Sequence, residues 1–591
     1  METTKKPPGL LQGKFVFKKL PNGNLDKTKV VCTLCNAELV YCRSSSSLKY
    51  HLNAKHPLAD AEDAGPSTDV AQGKSHVRQT NLFECNRGKP VSAAQSARLT
   101  NLLAQWIAIS CRPISVVEDD GLELVLQAAT GDPSYKLPAR RTIMRRIHDQ
   151  HAAEKAAKDV KMVEATCVAL TGDHWTSVNN DNYLGVTVHL IDASWELHSF
   201  ALGVMKTEER HFAEACARQF LDVANQWRIT DKISTIGTDS APNMVAAGRI
   251  LPFEHLSCVA HVVQRAIVMT LREGGFDGTL AKCRKVVGHF KHSPANSDEL
   301  NAQQASLGQV QEQLVQDVPT RWNSTLEMIK RVRRNKDALH TTLSQQKHNL
   351  ALPTNAEYEK LAKLEKLLEP CRYITELLGG DKYVSCSVVL PALCHLQHAM
   401  KITDDDPAYI VRFKAAFTTD LNQRREKLNL EWLKVATALD PRFKDLKCLP
   451  RAEREPVWAK LSELVKGEEP ALQPLVEENP ELPKKKTALL LMGSDSESDE
   501  ETPVDNTVER YKVEPSASLE QCPLKWWSEH TAVYGKMAHI ARKYLGTPAT
   551  TVPCERLFSL AGHIVQKRRA SLSPDNVNKL VCLSDWWKKE K

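Results

Sequence analysis

Three acidic residues and one cysteine–histidine quartet are the places where this sequence could do chemistry. Asp173 follows the apolar run 167–170 (CVAL), Asp239 follows 233–236 (ISTI), and Glu555 opens an amphipathic segment near the end of the chain. Apolar runs of this length read as strands. Two such strands side by side would project both aspartates from one sheet edge, and an acid arriving from a helix would close a pocket of hard oxygen donors. Such a pocket suits Mg2+ or Mn2+, which take a few carboxylates and keep several waters. Each acid alone has a structural alternative, because a strand-end aspartate also serves as a helix cap or turn residue. The second constellation is Cys32, Cys35, His51 and His56, spaced C-x2-C-x15-H-x4-H. Two thiolates from a hairpin knuckle and two imidazoles from the following helix satisfy tetrahedral Zn2+. Cys42 is left as a core thiol.

The elements that would have to position these residues can be read from periodicity. After Asp173, residues 183–191 and 197–205 alternate as two further strands, and a helix over 211–227 returns the chain to the strand that ends at Asp239. Three strands in a meander, a helix and another strand form the pattern of a ribonuclease H-like sheet, in which the helical crossover lays the Asp239 strand parallel to the Asp173 strand. Asp239 and Glu555 stand 316 positions apart, more than such a sheet needs. The excess is expected to be an inserted helical domain, with Leu361, Leu364, Leu367 and Leu368 at helical spacing. Helices are also expected over 96–109, with Leu99, Leu102, Leu103, Trp106 and Ile107 on one face, and over 259–270. A last helix has Ser573 as cap, Pro574 in its first turn, and an apolar face of Val577, Leu580, Val581 and Leu583. In a monomer that face packs on the core.

Composition and charge narrow the partners. The chain has 591 residues, enough for three or four domains, and 42% hydrophobic with 26% charged residues describes a soluble globular protein. Neither a secretory signal nor a membrane span is expected. The 16 cysteines show no repeating disulfide spacing, which suits a reducing compartment. Residues 1–57 hold ten Lys/Arg against three Asp/Glu, a surplus equal to the net charge of +7 carried by the whole chain. A basic module on a neutral body is the electrostatic footprint of a protein that meets phosphate. Residues 58–80 read as a flexible linker. The run 493–501 (GSDSESDEE) reads as disordered, with its serines open to phosphorylation, and 484–486 (KKK) is a nuclear-import candidate.

Several motifs carry a family resemblance. Phe15 and Phe17 within 13–19 (GKFVFKK) resemble the aromatic opening of BED-type zinc fingers, where a Trp and a Phe are usual. Arg43, Ser46, Ser47 and Lys49 lie near the start of the finger helix, where side chains reach base edges or phosphates of double-stranded DNA. In the body, 171–177 (TGDHWTS) resembles the first-Asp motif of the hAT superfamily of DNA transposases and their domesticated relatives. The segment 238–244 (TDSAPNM) resembles the second, with Ser240 where the family has Asn, and 553–559 (PCERLFS) resembles the third-acid motif. Residues 258–261 (CVAH) and 321–324 (RWNS) match two further elements in family order, and Arg568-Arg569 follow the third acid.

The resemblance implies a multidomain α/β protein: an N-terminal ββα zinc finger, then a ribonuclease H-like α/β core interrupted by a large all-α insertion. The expected boundaries are a finger over 13–57, a linker over 58–80 and a helical DNA-binding or dimerisation region over 81–160. The core's first part then runs over 161–330, the insertion over 331–480, a basic then acidic linker over 481–510, and a C-terminal dimerisation region over 511–591. It also implies that Asp173, Asp239 and Glu555 are catalytic with Mg2+ or Mn2+, and that Cys258, His261, Arg321 and Trp322 lie at DNA. Trp322 would stack on a flipped base, its alternative being a core tryptophan. Cys258 and His261 imitate half a zinc site, but no second ligand pair follows them. A nuclear homodimer or higher oligomer is implied, acting in cut-and-paste transposition. The alternative is a domesticated transcription regulator without catalysis; one relative of that kind is associated with SUMO ligation, for which these residues show no site.

Overall fold

The computed structural model describes residues 14–20, 23–41, 46–56, 90–207, 212–318, 321–467, 507–565 and 572–589, without the side chains of Ser46, Lys49 and Asn53. It divides into a finger unit and a body. In the finger, β1 (Phe15–Lys19), β2 (Leu25–Cys32) and β3 (Glu38–Val40) form an antiparallel sheet in that order, followed by a helix, Ser46–Lys55. The expected ββα unit therefore has a third strand. The chain reverses at Asn36, whose φ of 57° is left-handed, and the Asn36 N–H donates to the Cys32 carbonyl at 2.9 Å. The strand so created is three residues long, too short for alternation to reveal. Phe15, Val30, Cys32, Leu48 and Leu52 form the finger's core.

The body is built on a five-stranded sheet in the order β6-β5-β4-β7-β8. Its strands are β4 (Val168–Thr176), β5 (Asn182–Ile191), β6 (Leu197–Thr207), β7 (Ile233–Thr238) and β8 (Glu254–Ser257). β4, β5 and β6 form an antiparallel meander, and the helix Ala213–Gln226 carries the chain across to β7, which lies parallel to β4. Two glycines show which face is which. A Cβ on Gly172 would lie 2.3 Å from the Phe220 ring of the crossover helix, and one on Gly185 would lie 2.6 Å from Phe558. Asp173 pairs with Gly185 across the strands, so its side chain belongs to the Phe558 face, opposite the crossover helix.

The last helix, Pro574–Lys589, packs against β6, and Val577, Leu580, Val581 and Leu583 are all buried. Its polar side chains serve the free edge of β6. The Asp585 carboxylate accepts from the Ala201 N–H at 2.8 Å, the Asn578 Oδ1 accepts from the Val204 N–H at 2.8 Å, and the Trp586 indole N–H donates to the Ala201 carbonyl at 2.9 Å. An edge strand presents unpaired backbone groups, and here one helix covers them. The apolar face is thus spent within the chain. Asp585→Ala should strand the buried Ala201 N–H and lower unfolding stability by about 1–3 kcal/mol. An unchanged denaturant midpoint would show that this edge does not depend on the helix.

From Val259 onward the described chain is helical apart from turns and one isolated bridge, so helices begin well before residue 331, directly where β8 ends. These helices share a second hydrophobic core, which takes in Ile191, Trp195 and Leu256 from the sheet region and runs on through Ala549. The core around the sheet adds the helices Ala93–Ile109, Arg140–Glu164 and Pro574–Lys589. Within Ala93–Ile109, Leu103 and Ile107 are buried while Leu102 is half exposed. The chain rejoins the sheet through the helix Val552–Ile564, which packs on β4, β5 and β6. Among the described residues no helix is long and apolar enough to cross a membrane. The expected linker at 58–80, residues 481–506 of the linker expected over 481–510 with its Lys484–Lys486 and 493–501 runs, and Arg568-Arg569 lie outside the described residues, whereas 507–510 open a helix, Thr507–Val513.

Candidate active site and zinc centre

Asp173 and Glu555 are 382 positions apart in sequence, yet they meet. Asp173 sits on β4, Glu555 in the first turn of Val552–Ile564, and His261 one turn into the helix Val259–Glu273. One ligand atom from each of these three lies within 4.8 Å of the others, with His261 Nε2 4.0 Å from Glu555 Oε1. Asp239 stands at the end of the neighbouring strand but outside this cluster. Its Oδ1 accepts from the Ala241 N–H at 3.2 Å, ahead of the helix Pro242–Ile250. Burial, followed by the charge of Asp239, pushes Asp173 up to about 7, against the opposing pull of His261. Burial alone would lower His261, but the adjacent Cys258 sulfur and the charges of Asp173 and Glu555 outweigh burial and push it up to about 10. Near neutral pH a cation entering here competes with the protons on Asp173 and His261, and taking His261 Nε2 as a ligand displaces the proton it carries.

The floor of the site is neutral and dry. Cys554, next to Glu555, is buried and donates its thiol to the Thr171 carbonyl at 3.3 Å. Burial raises that thiol to about 12. His189 on β5 lies 3.0 Å from Thr187 Oγ1 and 3.3 Å from Thr171 Oγ1, and burial lowers it to about 3. Below Asp173 the sheet therefore offers hydroxyls, a thiol and a neutral imidazole, which leaves the carboxylates as the negative groups of this face.

Cys258 has a role that its spacing did not suggest. It is buried, and its Sγ accepts from the Thr551 N–H at 3.2 Å, at the cap of the Glu555 helix. Its own N–H donates to the Thr238 carbonyl at 2.8 Å, and the Val259 N–H donates to the Ala549 carbonyl at 3.1 Å. One corner thus ties the strand of Asp239, the helix of His261 and the helix of Glu555 together. Cys258 is a positioning residue here and not a surface contact for DNA.

An open cleft of about 800 Å³ runs past Glu555 and His261, lined also by Trp175, Arg321, Asn323 and Arg556. Arg321 is exposed, and the segment before it is anchored by the buried Asp317, which pairs with Arg284 at 2.7 Å. Arg556 pairs with Asp381 at 2.8 Å and donates to the Gly379 carbonyl at 2.8 Å, joining the helical part of the chain to the Glu555 helix. Arg556 is a cleft residue that sequence reasoning left without a role, although it adjoins Glu555 in the third-acid motif. Trp322 also lines this cleft, but it is 2% exposed and packs mostly in the helical core.

In the finger, Cys32, Cys35, His51 and His56 converge, their ligand atoms all within 4.8 Å of one another. Cys35 Sγ lies 3.2 Å from His51 Nε2, and Cys32 Sγ lies 3.7 Å from His56 Nε2. Tetrahedral zinc with ordinary Zn–S and Zn–N bonds sets S and N about 3.6 Å apart, so the quartet fits that ion. Ser47 is exposed on the helix above it. Arg43 and the side chains of Ser46 and Lys49 lie outside the described residues.

Four family models match along the chain: a BED zinc finger over 17–57, the ZBED1 RNase-like domain over 171–264, the ZBED1 RNase-like helical domain over 256–367 and the hAT family C-terminal dimerisation region over 507–587. The Zea mays protein named as an AC transposase is 25% identical, over 92% of this chain and 70% of its own length. The Talaromyces stipitatus protein named as the transcriptional regulator tpeD is 23% identical, over 81% of this chain and 60% of its own. The human zinc finger BED domain-containing protein 4 is 21% identical, over 94% of this chain and 50% of its own. The order of these matches, from an N-terminal finger through an RNase-like core to a C-terminal dimerisation region, makes this chain a BED-type member of the hAT family.

Proposed function

We propose that the chain is a nuclear, dimeric DNA-binding protein of hAT-transposase type, whose finger holds duplex DNA and whose core cuts it. The observation that carries this reading is the approach of Asp173 and Glu555 beside Asp239, at the mouth of a cleft lined by Arg321 and Arg556. Two carboxylates drawn together on a neutral floor are a donor set that fits a hard divalent cation. When bound, Mg2+ or Mn2+ supplies polarisation of the phosphoryl oxygens and an acidified water. The chain's own groups do the rest. Arg321 and Arg556 orient phosphates, since guanidinium forks match them bidentately, and the Cys258 corner fixes Glu555 against Asp173. Domains in this reading follow the boundaries expected above, with the helical segment starting at Val259.

The experiment is incubation of the full chain with duplex DNA ending in terminal inverted repeats of the kind that this reading expects beside its gene. Mg2+ or Mn2+ should yield strand breaks bearing 3′-hydroxyls, and a chelator should abolish them. DNA that is bound but never broken would contradict the reading. That outcome would favour a transcription regulator without catalysis, the function in the name of the fungal relative. One observation supports that second reading: the Asp239 carboxylate is engaged with the Ala241 N–H in the turn before the helix Pro242–Ile250, a local role that needs no metal.

A further inference from the structure

We propose that His261 is a metal ligand, its Nε2 joining Asp173 and Glu555 in a site that prefers Mn2+ to Mg2+. This rests on the reading that the core carboxylates hold a divalent cation, and it names a donor that the acidic triad does not contain. The convergent set in this structure is Asp173, His261 and Glu555, not the three acids. The 4.0 Å between His261 Nε2 and Glu555 Oε1 is within side-chain adjustment of the roughly 3 Å that separates neighbouring donors around a six-coordinate ion of this size.

His261 is held in place for such a role. Its helix starts directly after Cys258, the residue bonded through its N–H to Thr238 and through its Sγ to Thr551. The start of the His261 helix is thereby fixed relative to both the strand that leads to Asp239 and the helix that carries Glu555. Two oxygen donors and one imidazole nitrogen suit Mn2+, which binds both kinds, better than Mg2+, which is served by oxygen and water.

A second group of the same composition, Asp192, Glu196 and His198, provides the control. It is committed to its own hairpin, because Asp192 Oδ1 accepts from the Ser194 and Glu196 N–H groups and Asp192 Oδ2 lies 2.7 Å from His198 Nε2.

The test is electron spin-echo modulation of Mn2+ added to the zinc-loaded full chain. The wild type should show modulation from a directly bound 14N. It should vanish in His261→Gln, where Mn2+ remains on the carboxylates, and persist in His198→Gln and Asp239→Asn. The ratio of Mn2+ to Mg2+ affinity should fall about tenfold in His261→Gln. If that variant does not fold, wild-type protein grown with 15N-histidine should exchange the 14N pattern for a 15N one. Bound Mn2+ without nitrogen modulation, or modulation that survives His261→Gln, would overturn the assignment. Failure of the wild type to bind Mn2+ at all would instead remove the cation reading on which it rests.

Discussion

Glu555→Gln and Asp173→Asn are each expected to slow cation-dependent strand breakage by roughly a thousandfold or more, with duplex binding almost unchanged, because the loss falls on groups that act on developing charge. Both replacements keep shape. The Glu555 helix remains anchored by Cys554 beneath it and by Arg556 on Asp381, so the fold should survive. Asp239→Asn is the sharper case. An asparagine Oδ1 accepts the same i→i+2 turn bond, so this variant preserves the bond to Ala241 and removes only the charge. Loss of cleavage would then assign Asp239 to the chemistry, and undiminished cleavage would leave it as a turn residue. Single-turnover rates, with binding followed separately, distinguish these outcomes.

Removing zinc should have the second-largest effect. Among its described residues the finger's buried core is Phe15, Val30, Cys32, Leu48 and Leu52, too little to fold alone. Metal binding in units of this kind contributes on the order of 10–16 kcal/mol to folding. Cys35→Ser or chelation should therefore unfold the finger and cost about a hundredfold or more in sequence-selective affinity. The body, with its own cores, should melt as before. A colorimetric zinc assay beside mobility shifts checks this, and unchanged selectivity would exclude the finger as the reader of sequence.

The parts that could be read from sequence are those with strong local pattern. Alternation gave β5 and β6, the crossover helix followed from its periodicity, and the parallel pairing of β4 with β7 followed from that helix. The finger ligands were legible because zinc imposes fixed spacing. What escaped depends on contacts between distant segments. Cys258 looked like half a zinc site or a DNA contact, since nothing local says that its sulfur meets the Thr551 N–H, 293 positions away. Trp322 had two places open to it, the core and the cleft, and it borders both: its ring is buried among helices while it lines the cleft beside Arg321. The apolar face of the last helix suited either a partner or the core. Only the position of β6 at the sheet edge explains why Asp585, Asn578 and Trp586 turn inward beside it.

The shared site is tested most directly by the rate of the double variant Asp173→Asn/Glu555→Gln. Residues that serve one catalytic unit lose nearly everything at the first substitution, so their effects do not add. Single-turnover cleavage by the double variant should be no more than a few-fold slower than by either single variant. Losses that multiply across the two positions would mean that Asp173 and Glu555 act independently, and that their meeting on the sheet is structural.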